Sequence, residues 1–118
     1  MIEENQRRFD RRLKEKAKQE VQLRCELCTV KLSPHELQLH HKYVWVCEAK
    51  RYNIPGKFVA CRENAQVLCS HCHTKIHRRS QERPPQQLIE GLLFIAEMKG
   101  DSRGVSRIIE SITRSTRS

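Results

Sequence analysis

The spacing of hydrophobic residues changes several times along this chain, and each change marks a candidate element. Residues 2–22 contain neither Gly nor Pro, and Ile2, Phe9, Leu13, Ala17 and Val21 recur mostly at intervals of four. That interval gathers them on one narrow stripe of a helix. Arg7, Arg8, Arg11, Arg12, Lys14, Lys16 and Lys18 take the other faces. The pattern predicts a solvated helix docked by its stripe, with a basic face able to touch phosphates. Ser33 before Pro34 predicts a short helical turn. "LQLHHKYVWV", residues 37–46, is rich in β-formers and partly alternates, so it reads as a strand. "AKRYNIPGKFVA" carries an Ile-Pro-Gly turn signal. "ENAQVL" leads into "CSHCHTKIHRR", which is expected to start a helix near Ser70 that "RPPQQ" ends.

Within residues 86–99, Leu88, Ile89, Leu92, Leu93, Ile95 and Ala96 form a broad apolar helix face. "KGDSRG" interrupts it. Val105, Ile108, Ile109 and Ile112 mark a second, short helix before a frayed "TRSTRS". Such faces usually bury within their own chain; a homodimer through these C-terminal helices is the alternative. No internal repeat is present.

Composition narrows the picture. The chain has 118 residues, enough for one small domain, and only 37% of them are hydrophobic. A core this thin commonly gains stability from a metal or a disulfide. The net charge of +9 and a pI near 9.6 favour a polyanionic partner, most often nucleic acid. A membrane surface is disfavoured, because there is no long apolar run and no basic helix with a strong Trp and Phe face. "MIEENQRRFDRRLKEK" is charged from its third residue and does not read as a secretory signal. The expected location is therefore cytoplasmic, where C-x-x-C pairs read as metal ligands rather than disulfides.

Cys25 and Cys28 form one such pair, and Cys69 and Cys72 form a second about forty residues on. Each puts two thiolates on a tight turn, and two turns complete the four-sulfur shell that structural zinc prefers. A two-cysteine, two-histidine finger would need a second histidine soon after His41, and "KYVWV" supplies none. A redox reading lacks the surrounding βαβ pattern. Cys47 and Cys61 are read as buried small hydrophobes.

The histidines divide in the same way. His73 and His77 lie four apart on the expected helix and share one face, where they can chelate one metal. His40 and His41 are adjacent on the expected strand, so their rings point to opposite sides. One can join the helix's metal while the other acts on a substrate. His35 and His71 have no partner at ligand spacing and read as bystanders.

In order and spacing, "LHH" on a strand, a later asparagine and then "LCSHCHTKIH" resemble the HNH endonucleases. That family is the ββα-metal fold of homing, restriction, phage and colicin nucleases. His41 matches the first H, Asn64 in "ENAQVLC" the N, and His73 the last H. The two cysteine pairs match the zinc-bearing branch. The likeness covers about residues 25–78. It implies an α+β protein with a small zinc-stabilised ββα-metal core at 25–83. A basic N-terminal helix at 1–24 and a C-terminal helical extension at 84–118 would flank it.

The resemblance also implies roles. His41 would be the general base and Asn64 the residue that pins the ββ loop and so orients it. His40, His73 and His77 would hold the catalytic metal, beside the structural Zn2+ on the four cysteines. Many members carry Asp where this chain has His40, and those often use only the earlier helix histidine, so His77 is the ligand left open. A three-imidazole site should accept Zn2+, Ni2+, cobalt or Mn2+ and suit Mg2+ less well. The substrate would be DNA, cut to 5′-phosphate and 3′-hydroxyl ends. Lys42, Lys50, Arg51, Lys57 and Arg62, then Lys75, Arg78, Arg79 and Arg83, would supply phosphate contacts without sequence readout. The rival readings are a non-catalytic zinc module that binds nucleic acid, and an accessory subunit of a phage-packaging or restriction system.

Overall fold

The computed structural model describes residues 8–79 and 83–116 and, for 77–79, the backbone alone. Among the described residues the protein is a small α+β molecule with five helices and one two-stranded antiparallel sheet. In chain order the elements are α1 (Arg11–Glu20), β1 (Leu37–His41), α2 (Val46–Tyr52), β2 (Ala65–Cys69), α3 (Ser70–Arg79), α4 (Pro85–Lys99) and α5 (Ser102–Thr116). Short 3-10 turns occupy Pro34–Glu36, Gly56–Phe58 and Arg62–Asn64. No helix among the described residues is long and apolar enough to cross a membrane.

α1 is shorter than the stripe suggested. Asp10 caps it, its Oδ1 accepting from the Leu13 N–H at 2.7 Å, as short acidic side chains do at helix starts. Phe9 therefore precedes the helix, and Ile2 and Arg7 lie outside the described residues. Ala17 is buried and packs with Leu37 and Val67, so the stripe docks on the sheet. Gln22 and Leu23 are both left-handed, with φ of 57°. They turn the chain out of α1 into a tight knuckle, where Cys25 N–H donates to the Val30 carbonyl and Thr29 N–H to the Cys25 carbonyl.

β1 and β2 pair in a register that sets Leu37 opposite Cys69 and His41 opposite Ala65. The strand expected over 37–46 stops at His41. Lys42 N–H still reaches the Asn64 carbonyl, but the next two N–H groups, of Tyr43 and Val44, donate instead to the Asn64 side chain. A side chain has taken over from the partner strand, so the ladder ends and α2 begins at Val46. The β propensity of "VWV" yields to this tertiary contact. Glu48 then accepts from the Trp45 N–H at 3.1 Å and holds the start of α2. Cys61 is buried as expected, but Cys47 is exposed in the first turn of α2.

The largest apolar cluster is built from α2, the 54–61 connection, α4 and α5. It joins Val44, Ala49, Ile54, Phe58 and Val59 to Leu88, Leu92, Ile95, Val105 and Ile112. The C-terminal helices thus share a core with the β1–β2 connection. Leu93, expected inside, is exposed with Phe94 and Met98. α5 runs to Thr116, well past the short helix the sequence suggested.

Gly91 sets how closely α4 approaches the loop after β1. A Cβ there would collide with the Tyr43 carbonyl oxygen and lie 3.0 Å from its carbon. Gly91→Ala should therefore push α4 outward and destabilise by about 1–3 kcal/mol, the usual range for overpacking. A thermal melt checks this, and an unchanged midpoint would refute the close approach.

Candidate functional site

The two cysteine pairs meet in space. The sulfurs of Cys25, Cys28, Cys69 and Cys72 all lie within 4.8 Å of one another, the cluster able to hold a metal among the described residues. The knuckle supplies the first pair; the end of β2 and the first turn of α3 supply the second. Cys28 Sγ and Cys69 Sγ are 3.6 Å apart. A tetrahedral ion with sulfurs at about 2.3 Å needs sulfur–sulfur edges of about 3.8 Å, whereas a disulfide needs about 2.0 Å. The geometry fits a shared cation. Each pair also repeats one local bond: Cys28 N–H points at Cys25 Sγ (3.5 Å) and Cys72 N–H at Cys69 Sγ (3.4 Å).

These N–H groups have an electrostatic consequence. Burial opposes charge on Cys25, but the N–H groups of Cys28, Cys69 and Leu27 outweigh it and bring the thiol down to about 6. Burial and hydrogen bonds to the other three sulfurs push Cys72 up to about 12. At Cys28 the Val30 N–H favours the thiolate, yet burial and the neighbouring sulfurs raise it. Four negative sulfurs this close repel one another, and a divalent cation such as zinc removes that repulsion.

Glu26, between the two knuckle cysteines, fixes the knuckle to β2. Its N–H donates to the Val67 carbonyl, and its carboxylate accepts from the Val67 N–H. The C-x-x-C spacing gives no sign of this residue.

His40 and His41 lie at the other end of the same sheet from Cys69. His40 is buried, and its ring meets that of His73 edge to face, with centroids 5.8 Å apart. His73 stands in the first turn of α3, next to Cys72. His77 is on the same helix, but its side chain lies outside the described residues, as do those of Arg78 and Arg79. Two imidazole rings thus meet from β1 and α3. His41, on the opposite face of β1, stacks on Phe9 with centroids 4.1 Å apart and planes 16° apart. His35 and His71 are exposed.

Asn64 is wholly buried. Its Oδ1 accepts from the N–H of Tyr43 (2.7 Å) and Val44 (2.9 Å). Its Nδ2 donates to the carbonyls of Val44 and Val59, both at 2.9 Å. One amide thus satisfies four backbone groups of the β1–β2 connection.

The basic residues separate into two kinds. Lys42, Lys50, Arg51 and Lys75 are exposed. Others are committed to the fold: Lys57 pairs with Asp101 at 2.9 Å, and Arg62 with Glu20 at 3.0 Å. Arg83, read from the sequence as a phosphate contact, grips Glu48 through Nε and Nη2 at 2.7 and 2.8 Å. It also donates to the Tyr43 carbonyl and lies over the Trp45 ring. This ties the entry of α4 to the loop after β1.

No known protein-family model, curated protein or solved structure matches the chain.

Proposed function

We propose that this protein is a metal-dependent endonuclease of the HNH type, with a ββα-metal core, hydrolysing DNA phosphodiester bonds. One observation carries the reading. Three separate stretches meet: His40 and His41 at the end of β1, the buried Asn64 that holds the following loop, and His73 in the first turn of α3, 5.8 Å from His40 ring to ring.

The alternation of a strand assigns different work to adjacent residues. His40 faces His73; together with His77 these would hold one divalent cation. The chemistry such an ion supplies when bound is neutralisation of charge on the scissile phosphate and on the leaving 3′ oxygen. His41 faces away from the ligands. As a neutral imidazole it takes a proton from the water that attacks phosphorus, the general-base work to which imidazole chemistry is suited. Asn64 fixes the backbone that leaves His41, so the base is held rather than searching for its geometry. Lys42 directly follows the base and Lys75 lies two residues beyond His73; both are exposed and offer charge to the phosphate backbone. The net charge of +9 supports a polyanionic substrate. The four-cysteine site takes structural zinc and keeps the β2–α3 junction in place.

Plasmid nicking in added manganese or nickel tests the reading. His41→Ala should lower cleavage by about 100-fold or more, the usual scale for a lost general base. Its zinc content and unfolding temperature should stay as in the parent. Binding of DNA without cleavage across manganese, nickel, cobalt, zinc and magnesium would replace the enzyme with a non-catalytic zinc module.

A further inference from the structure

We propose that Phe9 is a positioning residue for His41, an inference that rests on the endonuclease reading and adds a residue from outside the 25–83 core. Phe9 is only 5% exposed, yet among the described residues it belongs to none of the three apolar clusters. Its ring lies instead flat on the His41 imidazole, at 4.1 Å and 16°. The helix that follows holds Phe9 there. Asp10, the next residue, caps α1, and α1 is seated on the sheet through Ala17, Leu37 and Val67.

The direction of the contact decides what it does. Stacking covers a face of the imidazole, whereas both ring nitrogens lie in the ring plane and point outward along its edge. A parallel aromatic therefore resists tilting and flipping of the ring while leaving the edge to exchange protons. That restricts the base to one plane before substrate arrives, which is how positioning lowers a barrier. A gate over the base would have to cover the edge instead.

The experiment compares Phe9→Leu, Phe9→Ala and Phe9→Tyr in the full chain, loaded with zinc and assayed in manganese. Leucine keeps an apolar residue without the flat ring; tyrosine restores the ring. Leu and Ala should lower kcat about tenfold with KM for DNA within about twofold, and Tyr should recover parental kcat to within about threefold. The His41 ring protons, followed by NMR, should lose their ring-current shift in Leu and Ala and regain it in Tyr. Parental activity in Phe9→Leu would overturn the proposal, because burial alone would then suffice. Higher activity in Phe9→Ala would overturn it in favour of occlusion. An inactive parent with the ring-current shift intact would reject the endonuclease reading, and with it any role of Phe9 toward a base. Unmoved His41 protons in the variants would reject the stack itself.

Discussion

Stripping the metal from the four-cysteine site is expected to unfold the half of the molecule that carries the histidines. Structural zinc contributes about 10–16 kcal/mol of apparent binding free energy in small domains, against a net stability of about 5–15 kcal/mol for a typical domain. The apolar packing in that half is small and divided between the surroundings of the sulfurs and the seat of α1 on the sheet. Among the described residues, the apolar cluster around Cys25, Cys69 and Cys72 adds the buried Leu68, with Leu32 and Ile76 at its margin. Chelation, or Cys69→Ser, should abolish the cooperative melt of this region. Amide protection should vanish first over residues 23–41 and 65–79. It should vanish last in α4 and α5, whose core contains none of the four cysteines that would bind the metal. Because thiols shed protons when they bind a metal, uptake should release acid, and affinity should fall as pH falls. Cobalt substitution should give the visible bands of a tetrahedral thiolate site. An unchanged melting temperature after verified zinc removal would refute a structural role.

Asn64→Ala should be the most damaging single substitution away from the cysteines. It would leave the N–H groups of Tyr43 and Val44 and the carbonyls of Val44 and Val59 without the partner they share in the interior. A buried polar group stripped of its partner costs about 1–3 kcal/mol. Backbone relaxation and water entry would lessen a sum of four, so the expected loss is about 3–5 kcal/mol. Asn64→Asp should not rescue it. The carboxylate keeps an acceptor for Tyr43 and Val44 but turns a second oxygen onto two carbonyl oxygens. Urea denaturation measures both variants. A shift below about 1 kcal/mol in Asn64→Ala would show that the loop holds itself without the amide.

The contrast between Cys69 and Asn64 explains what the sequence discloses. The cysteine pairs are legible because ligand spacing is a local property: two residues between thiolates define the turn, and two turns define the shell. The start of α3 at Ser70 and the span of α4 are legible for the same reason, as is the separation of His40 and His41 by strand alternation. Asn64 acts over twenty residues of chain, and its effect is to end a strand whose own residues would continue it. Nothing local in "KYVWV" announces that its N–H groups will turn to a side chain, so α2 and the exposure of Cys47 stay hidden. Arg83 is misread for a similar reason. Its position among basic residues suggests a phosphate contact, while Glu48, thirty-five residues away, claims it. Phe9 is visible as an apolar residue, but a stripe cannot say that its neighbour will be an imidazole. Ligand chemistry is written in short motifs, and the scaffold that aims it is written in long-range contacts.

The knuckle's grip on β2 has a consequence beyond holding sulfur. A two-stranded sheet has two bare margins, and bare margins recruit strands from other molecules. Val67 in the middle of β2 gives both its N–H and its carbonyl to Glu26, so the knuckle occupies that margin as a short surrogate strand. β2 is also buried along its whole length, uncharged and, apart from Gln66, apolar, a composition prone to cross-β stacking once uncovered. A cation bound by the four cysteines would thereby also keep this strand from pairing with its copies. Metal loss in a crowded cell would then be a route to self-association as much as to inactivity.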